Sequence, residues 1–441
     1  MNSQSKKMEL LGSTSIPKAL LAMGIPTMIG MLVNAFYNLV DAYFVGGLGE
    51  SQMGAISVVY PLGQVVVGLG LLFGNGAASY ISRLLGRGDK ETADKVASTA
   101  LYSSVSVGTV IIIISMVFLH PILKLLGATD SILPYAATYA GIYIVSCIFN
   151  VFNVTMNNIV TSEGAAKTTM CALLTGAVLN IALDPLFIYV FDLGVAGAAI
   201  ATAISQVVST CVYLTYIFRK KSVFHFRVKD CTYTKETMSE IFKIGIPTLV
   251  FQILTSVSIS LINNAAGDYG DSAIAGMGVV TRLISMGSLS VFGFIKGFQP
   301  IAGYSYGAKK FDRLREAIKT SILWSTVFCV IFGVILALFP TAIVSQFTKG
   351  DTEMIRIGAA SLRANGISIM LFGFYTVYSS LFLALGKGRE GFILGACRQG
   401  ICFIPVILLL PMVWGLNGIM YAQPIADVLS CLLYTSDAAD E

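Results

Sequence analysis

The sequence predicts an all-α membrane protein with twelve transmembrane helices in two pseudo-symmetric six-helix lobes, and three observations lead to this prediction. Hydrophobic residues make up 55% of the 441 positions and charged residues 12%, about half of the roughly 25% that soluble proteins carry. Apolar runs of the roughly 20 residues that span a bilayer recur along the chain. The second half of the sequence also repeats motifs of the first. A transmembrane β-barrel is disfavoured, because its strands would appear as short stretches in which apolar and polar residues alternate, not as continuous apolar runs.

The apolar runs are separated by short segments that contain glycine, proline or charged residues, and these segments define the ends of the predicted helices. We place the helices at residues 17–45, 53–82, 93–119, 132–158, 166–190, 194–218, 241–266, 273–304, 314–340, 353–382, 391–414 and 417–434. The first span begins after a short polar segment, so we expect no cleavable signal peptide.

Positive charge is concentrated in one of the two classes of loops that join these helices. About 22 of the 29 Lys and Arg residues lie in the N-terminus and in the loops near residues 83–95, 167, 219–243, 309–319 and 387–389. About 2 lie in the loops of the other class. By the positive-inside rule, this asymmetry predicts that both termini are cytoplasmic. The net charge of +5 therefore belongs to cytoplasmic loops and gives no reason to expect nucleic acid binding.

The two halves of the sequence match each other at a nearly constant shift of 221 residues. The motif at 23–27 recurs at 244–248, and the same shift superposes 49–51 on 270–272, 58–59 on 279–280, 86 on 307, 130 on 351 and 197 on 418. Each repeat holds six helices, so both enter the membrane in the same orientation, related by an axis along the membrane normal. We predict an N-lobe at 1–218, a cytoplasmic linker at 219–240 and a C-lobe at 241–441, facing a central cleft suited to alternating access.

The sequence lacks the motifs of enzymes and of nucleotide-driven pumps. It has no Walker A loop, no GxGxxG after a strand, no HExxH and no nucleophile elbow. The two histidines lack ligand-spaced neighbours, and the eight cysteines show no pairing pattern. We therefore expect no catalytic residue, no metal centre and no organic cofactor, and transport that runs on an ion gradient.

Two aspartates lie inside predicted helices of the N-terminal half, where a charged side chain costs about 2.5–3.5 kcal/mol. Asp184 follows Asn180 by one turn on helix 5. Asp41 ends a polar stripe on helix 1, whose spacing puts its members on one face: Asn34, Tyr37, Asn38 and Asp41. The alternative is that Asp184 caps or kinks its helix together with Pro185, and that Asp41 sits at an interface.

Two further polar residues lie at the same predicted depth in the membrane as the two aspartates. Helices 1 and 5 both run outward, so Asp41 and Asp184 fall in the periplasmic half. Tyr139 on helix 4 and Thr202 on helix 6 each lie roughly 8 residues, or about 12 Å, from the periplasmic end. The depths therefore predict one polar site made by Asp41, Tyr139, Asn180, Asp184 and Thr202.

The C-terminal half differs, because its first helix has no carboxylate in its interior. Its predicted buried charges are Arg282, Lys296, Arg363, Arg398 and Asp427. Arg398 and Asp427 lie on the last two helices, and we expect them to pair. For each of these five charges, two roles stay open: structural pairing or cavity lining, and direct contact with substrate.

Five motifs together resemble the multidrug and toxic compound extrusion (MATE) transporters, most closely the DinF-like and MepA-like bacterial branch. They lie at 23–26, 40–46, 74–86, 179–185 and 195–199, and the resemblance covers nearly the full length. The Leu-Asn-x-x-Leu-Asp-Pro motif at 179–185 is the most specific of them. In residues 435–441, however, the sequence departs from the basic ending that the repeat predicts, so we expect helix 12 to break at Tyr434 and the C-terminus to be truncated or artificial.

The resemblance implies an antiporter of the bacterial cytoplasmic membrane that exports amphiphilic, often cationic organic compounds in exchange for protons or sodium. It implies ion coupling at Asp41, Tyr139, Asn180, Asp184 and Thr202, the set that the depths predict. If sodium is the ion, its ligands would be Asp41, Asn180, Asp184 and Thr202. The implied substrate cavity is lined by Asn34, Tyr37, Asn153 and Asn157, to which we add Asn38 of the polar stripe. We expect small organic compounds and the lipid bilayer as partners, and a monomer.

Two other functions are weighed against ion-coupled export. A flippase for a lipid-linked saccharide precursor would share the two-lobe architecture, and Lys296, Arg363 and Arg398 could meet a pyrophosphate. The paired carboxylates of the N-lobe favour a cation instead. A membrane sensor or scaffold is disfavoured, because no signalling domain is attached.

Overall fold

The computed structural model describes residues 3–48, 50–126, 128–267, 269–347 and 352–437. The helices are α1 Ser3–Gly12, α2 Ile16–Gly46, α3 Glu50–Arg87, α4 Lys90–Val117, α5 Leu119–Leu125, α6 Leu133–Ser162, α7 Ala166–Pro185, α8 Gly194–Phe218, α9 Lys235–Gly267, α10 Asp271–Gly307, α11 Phe311–Leu338, α12 Pro340–Val344, α13 Thr352–Leu385, α14 Gly388–Ala396, α15 Phe403–Trp414 and α16 Leu416–Asp437. Two π-helical turns, Leu186–Val190 and Cys397–Ile401, continue α7 and join α14 to α15.

The long helices follow the predicted spans in order. Within the described ranges, 11 helices are long and apolar enough to cross a membrane, and α14, its π-turn and α15 form one of these, Gly388–Trp414. The twelfth predicted span corresponds to α16, Leu416–Asp437. Hydropathy predicts these helices well because each backbone group in a bilayer core must find its hydrogen bond within the protein.

The structure corrects the sequence prediction at both ends of the chain. The N-terminal polar segment forms a helix, α1, and the last helix continues past the predicted break at Tyr434 to Asp437. Positions 438–441 of the expected artificial ending, and positions 49 and 351 of the repeat, lie outside the described residues. Between the halves, α8 ends at Phe218 and α9 begins at Lys235, so the segment without long helix is shorter than the predicted linker.

Helix α1 is held by contacts to both halves of the chain. Lys7 Nζ donates to Glu163 Oε1 at 3.1 Å, and Leu11 is completely buried. From the second half, Lys310 Nζ donates to the carbonyl oxygen of Gly12 at 2.8 Å and Arg313 Nε to that of Leu11 at 3.3 Å. These contacts explain why hydropathy misses α1: its stability comes from tertiary partners, not from an apolar run.

The two halves approach each other through glycines that the repeat places at equivalent positions. A methyl group on Gly76 of α3 would overlap the carbonyl oxygen of Ile241 on α9. The equivalent methyl group on Gly297 of α10 would overlap the backbone of Gly24 on α2. The pseudo-symmetry therefore relates the α3–α9 contact to the α10–α2 contact. A side chain at either glycine would push two backbones apart.

The halves are joined by hydrogen bonds toward the basic end, by which we mean the end where the Lys and Arg residues of 83–95, 219–243, 309–319 and 387–389 gather. Arg83 Nη2 donates to Glu240 Oε2 at 2.7 Å, and Ser79 Oγ donates to the carbonyl oxygen of Leu383 at 2.5 Å. Nearer the middle of the helices, Gln252 Nε2 donates to Gln64 Oε1 at 2.7 Å. The first two of these bonds close the cleft at its basic end.

Candidate functional site

The two aspartates of the N-terminal half meet between α2 and α7. Asp184 is completely buried, and Asp41 is partly buried. Their carboxyl groups are within hydrogen-bonding reach of each other. Two carboxyl groups so close repel each other when both are ionised, so a proton or a cation between them would stabilise the pair.

The other residues of the predicted site surround this carboxyl pair. Asn180 Nδ2 lies 3.4 Å from Asp184 Oδ1 and 3.4 Å from Thr202 Oγ1. Tyr139 of α6 is buried near Asp41 and stacks on Tyr143, with ring centroids 5.5 Å apart. Side chains from α2, α6, α7 and α8 thus converge on one point, as the depths predict.

Local sequence explains how α7 presents its part of the site. Asn180 and Asp184 are one turn apart and point the same way. Pro185 has no N–H to donate, and the chain after it widens into the π-turn Leu186–Val190. The carboxyl group of Asp184 contacts the side chains of Asp41 and Asn180. These contacts favour a role in the polar site over a helix-capping role.

Three acceptor oxygens in this site are buried and have no hydrogen-bond donor among the described residues. They are Asp41 Oδ1, Asn180 Oδ1 and Asp184 Oδ2. Buried acceptors left without a partner are costly, and their clustering makes this place a candidate binding site. Carboxylate, amide and hydroxyl oxygens suit a hard cation, and a shared proton would also relieve the pair. These oxygen atoms therefore suit either a sodium ion or a proton.

The residues expected to line the substrate cavity fall into three environments. Asn34, Tyr37 and Asn38 share one face of α2, where Asn34 and Asn38 are exposed and Tyr37 is half-buried. Asn153 faces the interior, because its Nδ2 donates to Gln206 Oε1 at 2.8 Å and its Oδ1 accepts from Thr210 at 2.9 Å. Asn157 lies between the halves and accepts a hydrogen bond from Lys296 Nζ.

The main cavity, of about 580 Å³, is lined mostly by the C-terminal half. Sequence reasoning named Lys296, Arg398 and Gln252 there but missed four other uncharged polar residues: Gln299, Asn365, Gln399 and Gln423. The signal was present, since each of these amides interrupts an otherwise apolar span. Phe251, Phe292 and Phe372 form an aromatic cluster in the wall.

The charges of the C-terminal half divide into buried and exposed groups. Arg398 Nε donates to Asp427 Oδ1 at 2.9 Å, so the expected pair forms, and Gln423 Nε2 donates to the same oxygen at 2.8 Å. Arg282 and Arg363 were expected to be buried, and this expectation is wrong because both are exposed. Each occupies a helix face that the neighbouring helices leave open.

We expect Asp427→Asn to lower the thermal stability of the detergent-solubilised protein. Removing one member of a buried ion pair leaves the other charge uncompensated, at a cost of roughly 3–5 kcal/mol. The double variant Arg398→Met/Asp427→Leu should recover much of that loss. Asp130→Asn, at an exposed carboxylate, is the control and should have the melting temperature of the wild type. Equal melting temperatures for Asp427→Asn and the control would contradict a structural role for the pair.

A protein-family model matches both halves of the chain. The model described as MatE matches residues 26–186 and 247–409, once in each half of the chain. The two matched segments begin at Pro26 and Pro247, which the internal repeat superposes. Together they include the helices that carry the carboxyl pair and most of those that line the main cavity.

Comparison with individual proteins agrees with the family match. The chain is 32% identical to the multidrug export protein MepA of Staphylococcus aureus (strain MSSA476), over 94% of this chain and 92% of MepA. The solved structure of a multidrug resistance MATE family transporter of the MOP superfamily, in its outward-facing conformation, matches with a TM-score of 0.91 and 27% identity. It covers 97% of this chain and 96% of that one. These likenesses confirm the predicted two-lobe membrane fold.

Proposed function

Because the chain belongs to the MATE family, we propose that it exports amphiphilic organic compounds across the membrane in exchange for protons or sodium ions. Membership of this family of transporters also confirms the expectation that the chain is not an enzyme. The MepA relative is named a multidrug export protein, which favours export of drug-like molecules over a lipid-linked flippase.

The observation that carries the proposal is the carboxyl pair of Asp41 and Asp184, with its three unpartnered oxygens. An ion bound there neutralises the pair and uses acceptors that otherwise have no donor. Loss of the ion leaves two like charges in contact and favours a different arrangement of α2. Pro26 lies inside α2 and weakens its backbone hydrogen bonding, so bending of α2 at this point is inexpensive.

Alternating access then follows from the two lobes and their contacts. With the basic end closed, the cleft can release substrate at the opposite end. Ion binding would favour the reverse tilt, in which the basic end opens and substrate enters. The two repeats supply both walls of the cleft from one chain, so we propose that a monomer suffices.

The energy available from such an exchange is adequate for export. One proton supplies about 2.3 kcal/mol per 100 mV of membrane potential and about 1.4 kcal/mol per pH unit. Together these support a substrate gradient of several hundredfold, at a factor of ten per 1.4 kcal/mol.

Dye efflux from inverted vesicles tests the proposal, with a pH gradient and a sodium gradient imposed separately. We expect one of the two gradients to drive dye accumulation in vesicles that contain the protein, and a matching ionophore to abolish it. Vesicles without the protein are the control. Equal dye movement in both vesicle preparations under both gradients would overturn the proposed export function.

The protein is a multi-pass membrane protein, and we propose that it lies in the bacterial cytoplasmic membrane with both termini and the basic end in the cytoplasm. Thr234 is exposed beside the start of α9 and suits a topology probe. Ser222 does not, because it is buried and donates to Glu163 Oε2 at 3.0 Å.

We expect Thr234→Cys to resist an impermeant thiol reagent in intact cells and to react after permeabilisation. The background should lack the native cysteines that the reagent reaches. Ser131→Cys, exposed at the opposite end, is the positive control and should react in intact cells. Rapid labelling of Thr234→Cys from outside would reverse the proposed orientation.

A further inference from the structure

Lys296 of α10 lies at the junction of two spaces inside the molecule. It lines the main cavity and also a small pocket of about 20 Å³ that continues from it between the halves. Its Nζ donates to Asn157 Oδ1, an uncharged acceptor. Among the described residues, no carboxylate lies within 4.0 Å of Lys296. A partly buried ammonium group thus has no counter-ion among these residues and retains donors for another acceptor.

The charges around the cavity leave this positive charge unbalanced. The charged side chains that line it are Lys296 and Arg398, and no Asp or Glu of the described ranges does so. Arg398 is already neutralised by Asp427 at 2.9 Å, and its guanidinium lies 4.5 Å from the ring centroid of Phe372. Lys296 therefore gives the cavity a net positive charge at one defined point.

The internal repeat indicates that this charge is not needed to hold the helices together. The repeat superposes Lys296 on Asn75, and both line the small pocket. Asn75 Nδ2 also makes a bond between the halves, to a different partner position, donating to Thr248 Oγ1 at 2.9 Å. An uncharged amide thus suffices to tether one repeat to the other, so the ammonium group at 296 calls for a further role.

We propose that Lys296 and Gln299 form a subsite for the acidic group of a substrate, so that the cavity accepts zwitterionic or anionic aromatic compounds. Gln299 lies three residues after Lys296 on α10, about one helical turn away, and lines both spaces with it. The carboxylate would accept from the ammonium and amide donors, while the ring packs on Phe251, Phe292 and Phe372. A charge-assisted hydrogen bond in such a site is stronger than a neutral one. This inference rests on the proposed export function and names a chemical class for its substrates.

The test uses two dyes that differ in one acidic group: rhodamine B, which carries a free carboxylate, and its ethyl ester, which does not. We expect Lys296→Gln to weaken rhodamine B binding to the purified protein by about tenfold or more. Binding of the ester should stay within about twofold of the wild type. Lys296→Arg keeps the charge and should restore part of the rhodamine B affinity. Lys387→Gln, at an exposed lysine outside the cavity, is the control and should match the wild type for both dyes.

The outcomes separate this inference from the proposed function. Equal weakening of both dyes by Lys296→Gln would show that the lysine only tethers the helices, and would overturn the subsite. Unchanged binding of both dyes would overturn it as well. If vesicles with wild-type protein export neither dye under any gradient, the export function fails, whereas binding by the purified protein still reports on the subsite.

Discussion

Replacing either aspartate of the carboxyl pair should abolish gradient-driven export while leaving folded protein in the membrane. Asp41→Asn and Asp184→Asn keep the size of the side chain but remove the group whose charge the ion balances. Without that charge, ion binding no longer favours the state with the basic end open over the state with it closed. An ion gradient then cannot shift the balance between these two states. We expect dye export in inverted vesicles to fall to the level of vesicles without the protein.

A control for this prediction lies on the same stretch of chain. Asp192 is exposed at the turn between α7 and α8 and has a φ of 54°, a conformation that asparagine also adopts. Asp192→Asn should therefore export dye at the wild-type rate. Both pair variants should still bind dye when purified, because the main cavity is lined by other residues. Normal export by both pair variants would place the coupling site elsewhere.

A single methyl group at either of the equivalent glycines should impair closure of the basic end. Gly76→Ala and Gly297→Ala each force two backbones apart, because the new Cβ overlaps main-chain atoms that cannot move independently. Overpacking of this kind costs about 1–3 kcal/mol, which corresponds to about a 5- to 150-fold loss of the closed state. We expect a matching fall in the initial rate of dye export.

Spin labels report directly on this closure. Labels at Arg87 and Lys309, both exposed at the basic end, should give a longer or broader distance distribution in the two glycine variants than in the wild type. Gly278→Ala, on the same helix as Gly297, has open space where its Cβ would lie and should leave the distance unchanged. If Gly297→Ala behaves like Gly278→Ala, close packing of the backbones is not required for closure.

The sequence by itself determined the spans, the repeat and the carboxyl site. Apolar runs give the helices because a bilayer leaves backbone groups no other partner. Asp41, Asn180 and Asp184 stand out because polar side chains are costly at that depth. Helical periodicity then fixes which of them share a face, and the run direction fixes their depth. These quantities are local, so one sequence is enough to obtain them.

Only the tertiary structure decided which faces meet. The main cavity lies mostly in the C-terminal half, α1 docks onto both halves, and Arg282 and Arg363 are exposed although they lie inside spans. The contact of Lys296 with Asn157 joins residues 139 positions apart. Periodicity along a helix gives the face of a residue but not the helix opposite it, because that choice depends on close packing between distant segments such as Gly297 against Gly24.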